Sequence, residues 1–506
     1  MAKRKKRNSI TLFSLLLALI ILSVFYYWYT NKSKEAKDET GETNTISLAS
    51  IDTTQLTSFA IKNENLDITL IFDQGEWTSK NDPDRPIDQS HVGIMTNLLA
   101  KIDAVRMIKE DADDLGEYGL DQPSITIQAV TEDGTNFKMF IGDAAVTGDG
   151  YYAMVNDDKT VYLVNSTIGS GFNYSEEELT QLKDQPDITS SDNITHILVD
   201  LREGKDFEIK YMPENDNTYT KLNQFEWTLL QPYGEEYNAS YDKLSPLLTA
   251  FGDFTFKTCV DYEGKDLGRY GLDQPFAKIT VDFTRTKNVT LDSPEKDPDT
   301  GKEITQKDVT TNESLKIDIG NQDENGNYYV RNEASNAVYT MAASSVESKI
   351  KLNAFDYLNR FVALPNIDNV DKIDAKIGDK EYKMEIKRTT QKDDDGKEVT
   401  QATYFNNNTE VTEKNFKNMY QTMISAYFEK EADDESKINK THPVMSLSYH
   451  IMDQDTNLTT VYYPYDDVYY YADNGKSHNF LVDRRVIDAM IYAIENNKVK
   501  DYDYND

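Results

Sequence analysis

Residues with catalytic or metal-binding side chains are present in this chain, but their spacing completes no known site. The five histidines do not form the His-Glu-x-x-His pair of zinc proteases. Gly169-Ser170-Gly171 lacks the spacing of a nucleophile elbow. His442 and His450 lie near each other, so a shared site is an open alternative. We interpret all five as hydrogen-bonded surface side chains: His91, His196, His442, His450 and His478.

Two glycine-containing turns resemble ligand-binding loops, and each departs from its motif. Asn474-Gly475-Lys476-Ser477 ends like a phosphate loop, but Tyr470 stands where that motif has its first glycine. The segment beginning at Asn321 resembles a calcium loop, but it starts with Asn and has Asn332 at the twelfth position, where the bidentate Glu belongs. We therefore expect no catalytic, cofactor-binding or metal-binding residues and no enzyme activity.

A cluster of tyrosines lies near the C-terminus. Exposed tyrosines can stack on sugar rings, which would indicate a carbohydrate-binding surface. Packing between strands is the favoured interpretation, because Tyr469-Tyr470 has counterparts at 151–152 and 328–329. The cluster consists of Tyr462, Tyr463, Tyr465, Tyr469, Tyr470 and Tyr471. The single cysteine, Cys259, is expected to be a small core residue.

A nine-residue signature occurs twice and shows that a domain has been duplicated. Residues 115–123 read Leu-Gly-Glu-Tyr-Gly-Leu-Asp-Gln-Pro, and residues 267–275 repeat this with Arg in place of Glu. A Glu-Trp-Thr stretch upstream is repeated at nearly the same spacing. A repeat of about 150 residues is long enough to be a whole folding unit. The motif residues, which we expect to be structural, are Trp77, Leu115, Gly116, Tyr118, Gly119, Leu120, Asp121 and Pro123, and Trp227, Leu267, Gly268, Tyr270, Gly271, Leu272, Asp273 and Pro275.

Each motif residue type has a structural role in this interpretation. The four glycines are expected to take left-handed conformations that form a turn. The leucines and tyrosines between them are expected to pack into the core. The prolines end the turn and precede the next strand. The tryptophans are expected to anchor the core.

The elements around the signature predict an α+β unit with a mainly antiparallel sheet and one or two packed helices. The helix of the first copy carries Ile94, Leu98, Ile102 and Val105 at helical spacing, and that of the second carries Leu244, Leu247, Leu248 and Phe251. A third, diverged copy has its helix around Phe416 to Tyr427 and Thr441-His442-Pro443 in place of Asp-Gln-Pro. Polar residues 292–311 are expected to form an extended hairpin loop, and residues 391–398 a turn.

The N-terminus predicts a single-pass membrane anchor. Ile10 to Tyr29 is a largely apolar segment without charge, long enough to cross a bilayer, and five basic residues precede it. It ends in bulky aromatics, unlike a cleaved signal peptide, and no cysteine follows closely to carry a lipid. The predicted organisation is a basic tail and transmembrane helix (1–30), a flexible stalk (31–50) and three modules (51–186, 187–355 and 356–506). The body would lie outside the cytoplasm.

The charge of the chain restricts its partners. The formal net charge is −34, and removing the five basic residues of the tail leaves −39. A body this acidic is repelled by nucleic acid, so we expect no nucleic-acid partner. Cations or basic proteins are compatible with it. The sequence gives no ligand and no oligomeric state, and calcium or glycan binding by a module stays open.

The paired signature, the preceding Glu-Trp strand and helix, and the N-terminal anchor resemble one bacterial family, domain of unknown function 4340. The resemblance is close over residues 50–350 and weaker over 360–495. It implies a membrane-anchored protein that accompanies ABC transporters of the gliding-motility type, and it implies no catalytic residues. We therefore expect a non-catalytic accessory subunit of an ABC-type transport or envelope system. The alternative is a cell-wall or carbohydrate-binding protein that uses exposed tyrosines.

Overall fold

A computed structural model describes residues 45–188, 190–213, 226–296, 300–392, 398–452 and 457–499. The chain divides into two compact units, one ending at Gln181 and the other beginning at Leu182. The predicted transmembrane helix and most of the predicted stalk lie outside the described residues. Within the described ranges, no helix has the length and apolar character needed to cross a membrane.

The first unit is built on one nine-stranded antiparallel sheet, in the spatial order β1-β5-β9-β8-β7-β6-β2-β3-β4. Its strands are β1 (Ile46–Ala49), β2 (Leu56–Lys62), β3 (Asp67–Asp73), β4 (Glu76–Ser79), β5 (Ile102–Lys109), β6 (Ile125–Thr131), β7 (Asn136–Ala144), β8 (Gly150–Val155) and β9 (Val161–Asn165). Its helices are α1 (Gln89–Ala100), α2 (Ser166–Ser170) and α3 (Glu176–Leu179).

The second unit contains two further nine-stranded antiparallel sheets. The second sheet has β10 (Ile194–Leu201), β11 (Phe207–Tyr211), β12 (Trp227–Gln231), β13 (Tyr237–Asn238), β14 (Phe256–Asp261), β15 (Ala277–Lys296), β16 (Glu303–Gln322), β17 (Tyr328–Asn332) and β18 (Val338–Met341), with helices α4 (Tyr241–Gly252), α5 (Ala343–Ile350) and α6 (Ala354–Tyr357). The third has β19 (Val370–Ile377), β20 (Lys380–Lys392), β21 (Glu398–Asn406), β22 (Thr409–Val411), β23 (Phe428–Glu431), β24 (Met445–Ile451), β25 (Asn457–Pro464), β26 (Tyr469–Asp473) and β27 (Phe480–Asp483), with helices α7 (Glu413–Met423) and α8 (Arg484–Asn496).

The three sheets share one strand order. The second runs β14-β18-β17-β16-β15-β10-β11-β12-β13 and the third β23-β27-β26-β25-β24-β19-β20-β21-β22, which matches the order of the first from β5 onward. This confirms the α+β class with repeated antiparallel sheet modules. The first sheet has β1 as an additional edge strand, where Ile46 lies opposite Ala104 of β5. The four residues of β1 lie within the predicted stalk, so its last part is a strand.

Each sheet carries a large core on one face, covered by helices. In the first sheet the buried helix residues are Val92, Met95 and Leu99. The expected helix face was partly wrong, because α1 ends at Ala100 and Ile94 is 49% exposed. Ile102 belongs to β5, where alternate residues face the core. The prediction for α4 is confirmed, since Leu244, Leu247 and Phe251 are buried.

The polar stretch 292–311 is mostly strand rather than loop. β15 continues to Lys296 and β16 begins at Glu303, so the two strands form a long ribbon. Thr, Val and Ile residues favour strands, and this content explains the difference. In the third sheet, β20 likewise extends to Lys392 and β21 begins at Glu398, so both strands reach into the stretch where the turn is expected.

Candidate functional site

The two signature segments form the same turn in the first and second sheets. Each makes a short 3-10 helix that ends on a glycine with left-handed backbone, Gly119 at φ 65° and Gly271 at φ 70°. This confirms the expectation for these two glycines. The expectation of a left-handed backbone is wrong for Gly116 and Gly268, which lie in the helical turn without positive φ. At Gly116 the constraint is space, because a Cβ would lie 3.1 Å from the Asp114 carboxylate.

Sequence reasoning missed the glycines that receive this turn. Gly142 of β7 lies against the turn so closely that a Cβ would come 2.1 Å from the carbonyl oxygen of Tyr118. Gly320 of β16 stands in the same relation to Tyr270, also at 2.1 Å. Both glycines occur at the end of a recognised strand pattern, and the repeated Ile-Gly pair was the signal that could have found them.

The signature side chains cover the sheet face opposite the helices. Leu120 is buried in a small cluster, and Tyr118 packs edge-on against Tyr152 at 5.1 Å. In the second sheet Leu272 is buried and Tyr270 packs against Tyr329 at 4.9 Å. Leu115 and Leu267 contact the same clusters as partly buried side chains, and Pro123 and Pro275 each stand two residues before a strand. Asp121 and Asp273 lie near the first glycine of each turn.

Trp77 and Trp227 flank the cores as half-buried residues. Trp77 packs against Phe72 at 5.2 Å and Trp227 against Tyr211 at 5.7 Å. Both rings contact the main core of their sheet. They therefore fill the same position in the corresponding strands β4 and β12.

The C-terminal tyrosine cluster is largely buried, as expected for packing between strands. Tyr462 and Tyr471 have almost no exposed surface, and Tyr465 and Tyr470 are also buried. The counterpart of Tyr151-Tyr152 is Tyr470-Tyr471 rather than Tyr469-Tyr470, because Tyr470 lies opposite Val482 as Tyr151 lies opposite Val164. A shift of one residue exchanges the two faces of a strand, so the sequence match alone could not fix it.

The histidines have separate partners, and the structure gives no shared site for His442 and His450. His442 contacts Thr441 at 2.7 Å, and His450 contacts Asp374 at 2.7 Å. His196 lies between Asp282 and Glu208, at 2.8 and 3.0 Å. No group of three or more potential metal ligands occurs in the part of the chain that the structure describes.

A cleft of about 290 Å³ lies between the second and third sheets. Its apolar lining comes from Pro232, Leu352, Ala354 and Phe355, and its polar lining comes from Lys205, Asp206, Asn353, Lys430 and Glu431. The first group belongs to the second module, whereas Lys430 and Glu431 belong to β23 of the third. The cleft therefore exists only where the two modules meet.

Glu431 of this cleft contacts three other side chains. Its carboxylate accepts a hydrogen bond from the Tyr233 hydroxyl at 2.9 Å. The Lys205 ammonium lies 3.5 Å away and the His478 ring nitrogen 3.6 Å away. Burial, followed by the negative charge of Glu431, raises the pKa of the Tyr233 hydroxyl, which keeps it protonated as a donor.

The turn with the phosphate-loop ending holds the two modules together behind the cleft. Lys476 donates to the Glu236 carbonyl and lies 4.1 Å from the centre of the Tyr237 ring. Burial lowers its pKa to about 8. The Ser477 backbone N–H donates to the Glu235 carboxylate at 3.0 Å. The turn is therefore an element of the interface between modules and not a phosphate site.

A family model matches this chain twice, in agreement with the repeat seen in the structure. The model of the family described as domain of unknown function (DUF4340) matches residues 77–275 and 227–441, which together span well over half of the chain. The chain belongs to this family. No curated protein and no solved structure matches this chain.

The two DUF4340 matches are displaced by one module. The first begins at Trp77 and the second at Trp227, the tryptophans of the corresponding strands β4 and β12. The first ends at Pro275, and the second ends at Thr441, two residues before the proline that precedes β24. The family pattern therefore runs from the tryptophan-bearing strand of one copy to the turn of the next.

Proposed function

We propose that this DUF4340 protein is a non-catalytic binding protein that serves as an accessory subunit of an ABC-type transport or envelope system. The cleft at Glu431 carries this proposal. Its walls come from two modules, and its lining combines apolar side chains with charges of both signs. A segment of a partner protein with an apolar side chain between charged groups matches that lining.

One hydrogen bond and two charged contacts at Glu431 support binding. Tyr233, Lys205 and His478 all approach the same carboxylate from different elements, so its position is fixed before a partner arrives. Groups that are already ordered lose little conformational entropy on association. The charged rim then selects partners by charge complementarity.

The membrane anchor and the transporter partner rest on the sequence. The apolar segment Ile10–Tyr29 and the basic residues before it support a single N-terminal span with the body outside the cytoplasm. The resemblance to proteins that accompany ABC transporters supports the partner. The carbohydrate-binding alternative has lost its main support, since four of its six tyrosines are buried.

The test is photo-crosslinking of the full-length protein in its native membrane. A photoreactive residue replaces Lys205, which lines the cleft in the turn between β10 and β11. The matched control replaces Glu64, an exposed residue in the corresponding turn between β2 and β3. We expect a transporter subunit to be captured from position 205 and not from position 64.

A second variant connects capture to the cleft chemistry. In Glu431→Gln the hydrogen-bond acceptor remains, but the negative charge of the cleft wall is lost. We expect this change to reduce capture from position 205 without changing the level of the protein. Capture of transporter subunits from position 64 and not from position 205 would show that the cleft is not the docking site.

A further inference from the structure

The ribbon formed by β15 and β16 is specific to the second module. Each of its strands has 20 residues. The corresponding strands are β6 and β7 in the first sheet, with 7 and 9 residues, and β24 and β25 in the third, with 7 and 8. The additional length therefore does not serve the shared fold.

The outer part of this ribbon projects beyond the sheet. Among the described residues, β10 pairs with β15 as far as Phe283, and β17 pairs with β16 from Ile317 onward. Beyond these points the two strands pair with each other alone. At about 3.3 Å per residue, the projection is roughly 40 Å long.

A ribbon of this kind is incomplete by itself. Two strands without a third strand or a helix are marginally stable in water, and an unpaired edge is a template for another strand. Near its base the β15 edge is covered, because Arg285 contacts Asp187 at 3.1 Å as well as Glu313 at 2.8 Å. Within the described ranges, no strand other than β15 pairs with β16 over residues 306–314.

We propose that the outer edge of β16 pairs antiparallel with the same edge of a second copy of this chain, with Thr310 at the two-fold axis. Identical strands that pair antiparallel are related by such an axis. In this register Lys307 lies opposite Glu313 of the second copy, and Asp308 lies opposite Asn312. Each pair occurs twice. Opposite charges and hydrogen-bonding partners across strands are stabilising.

The charges on the chain favour this edge and this register. The chain carries a net charge of −34, so two copies repel each other over most of their surface. The projecting residues 284–296 and 303–314 are nearly neutral, with four basic and five acidic side chains. A register centred on Asp308 would place two aspartates opposite each other, whereas the register centred on Thr310 opposes no like charges.

The first test uses cysteine crosslinking of the full-length protein in its membrane. Cys259 is buried, so an introduced cysteine supplies the reactive thiol. Residues opposite each other in antiparallel strands have Cα atoms about 4.5–5.5 Å apart, within disulfide range. Thr310→Cys should therefore form a covalent dimer on mild oxidation.

Thr286→Cys is the matched control. Thr286 lies directly opposite Thr310 in the same ribbon, and their hydroxyls are 2.8 Å apart, so both variants lose the same contact. The control cysteine is on the far strand from the proposed interface and should give little dimer. Equal dimer from both variants, dimer from Thr286→Cys alone, or dimer from neither would overturn the proposal.

Charge exchange tests the register. In the Thr310→Cys background, Lys307→Glu should lower the dimer yield roughly tenfold, because two symmetry-related pairs become repulsive. Glu313→Lys should act in the same direction. The combined variant should recover part of the dimer, because within each copy residue 307 also contacts Glu295 and residue 313 also contacts Arg285. If Lys307→Glu leaves the yield unchanged, or if the combined variant recovers none of it, this register is wrong.

Discussion

The side-chain amide of Gln89 binds both backbone groups of Trp77. The Trp77 N–H donates to Gln89 Oε1 at 2.9 Å, and Gln89 Nε2 donates to the Trp77 carbonyl at 2.9 Å. Nε2 also donates to the Ile87 carbonyl at 3.1 Å. The second and third sheets have a short strand at this edge, β13 or β22. In the first sheet a single side chain replaces it.

Gln89→Glu should therefore destabilise the edge of the first sheet. A carboxylate cannot donate to the carbonyls of Trp77 and Ile87, so a half-buried edge loses two hydrogen bonds at a cost of about 1–3 kcal/mol. Hydrogen exchange of peptides containing Trp77 should accelerate. Gln128→Glu is the control, since Gln128 makes an exposed side-chain hydrogen bond to Asn136. Equal exchange in the two variants would contradict the proposed role of Gln89.

The contact between Gly142 and the signature turn gives a second prediction. Gly142→Ala places a Cβ 2.1 Å from the Tyr118 carbonyl oxygen, so the turn must move, at a cost of about 1–3 kcal/mol or more. The melting temperature of the first unit should fall. Gly93→Ala is the control, because Gly93 lies in α1 with no atom within 4 Å of its Cβ position. That change should stabilise by roughly 0.5–1 kcal/mol.

Local patterns predicted the repeat, the class of fold and the signature turn because these depend on neighbouring residues. Gly119 and Gly271 required a backbone conformation that the turn itself specifies. Gly142 was missed because its constraint comes from a turn more than twenty residues earlier. Ile102 has helical spacing from Leu98, and only the end of α1 assigns it to a strand.

Local sequence patterns could not predict the cleft between the second and third sheets. Tyr233 and Glu431 are 198 residues apart and belong to different modules. The local pattern around Lys476 predicts a turn, but the position of Lys476 against Tyr237 depends on how the second and third sheets pack. Contacts of this kind are set by tertiary structure, and a single sequence holds no periodic signal for them.

A buried ion pair in the second sheet allows a test that uses the internal repeat. Asp318 is 1% exposed, and its carboxylate lies 2.6 Å from the Arg331 guanidinium. In the first sheet the corresponding opposed pair is Phe140 and Met154. Removing one partner of a buried ion pair typically costs about 3–5 kcal/mol, whereas replacing both with apolar residues is often neutral.

We expect Arg331→Met alone to destabilise the second unit strongly. Asp318→Phe combined with Arg331→Met should recover most of the loss, because it recreates the pair of the first sheet. The Lys278 ammonium also lies 3.5 Å from the Asp318 carboxylate, and in the double variant it keeps Glu333 as a partner at 3.2 Å. Urea unfolding of all three proteins measures the effect. A double variant less stable than Arg331→Met would show that the two modules are not interchangeable at this position.

The buried Lys349 predicts how the stability of the second unit changes with pH. Its side chain is 2% exposed, and its ammonium donates to the carbonyl and hydroxyl of Ser345, both at 3.2 Å. Burial lowers its pKa from 10.5 to about 8, and the nearby charge of Asp253 opposes the change. Between pH 8 and 10.5 the unfolded chain therefore binds more protons at this residue than the folded chain. Its contribution to stability rises with pH across that range.

Lys349→Met should remove this dependence. At pH 7 the variant should be more stable than the wild type by on the order of 3 kcal/mol, because the cost of burying the charge is gone, and the difference should shrink as the pH approaches 10. Urea unfolding followed by Trp227 fluorescence, in a chain with Trp28 and Trp77 replaced by Phe, reports on the second unit. Lys351→Met removes an exposed lysine beside the same helix and serves as the control. The free energies of unfolding of wild type and Lys349→Met are compared at pH 7 and pH 10. If they differ by the same amount at both pH values, the Lys349 ammonium is solvated in the folded protein, and the prediction is wrong.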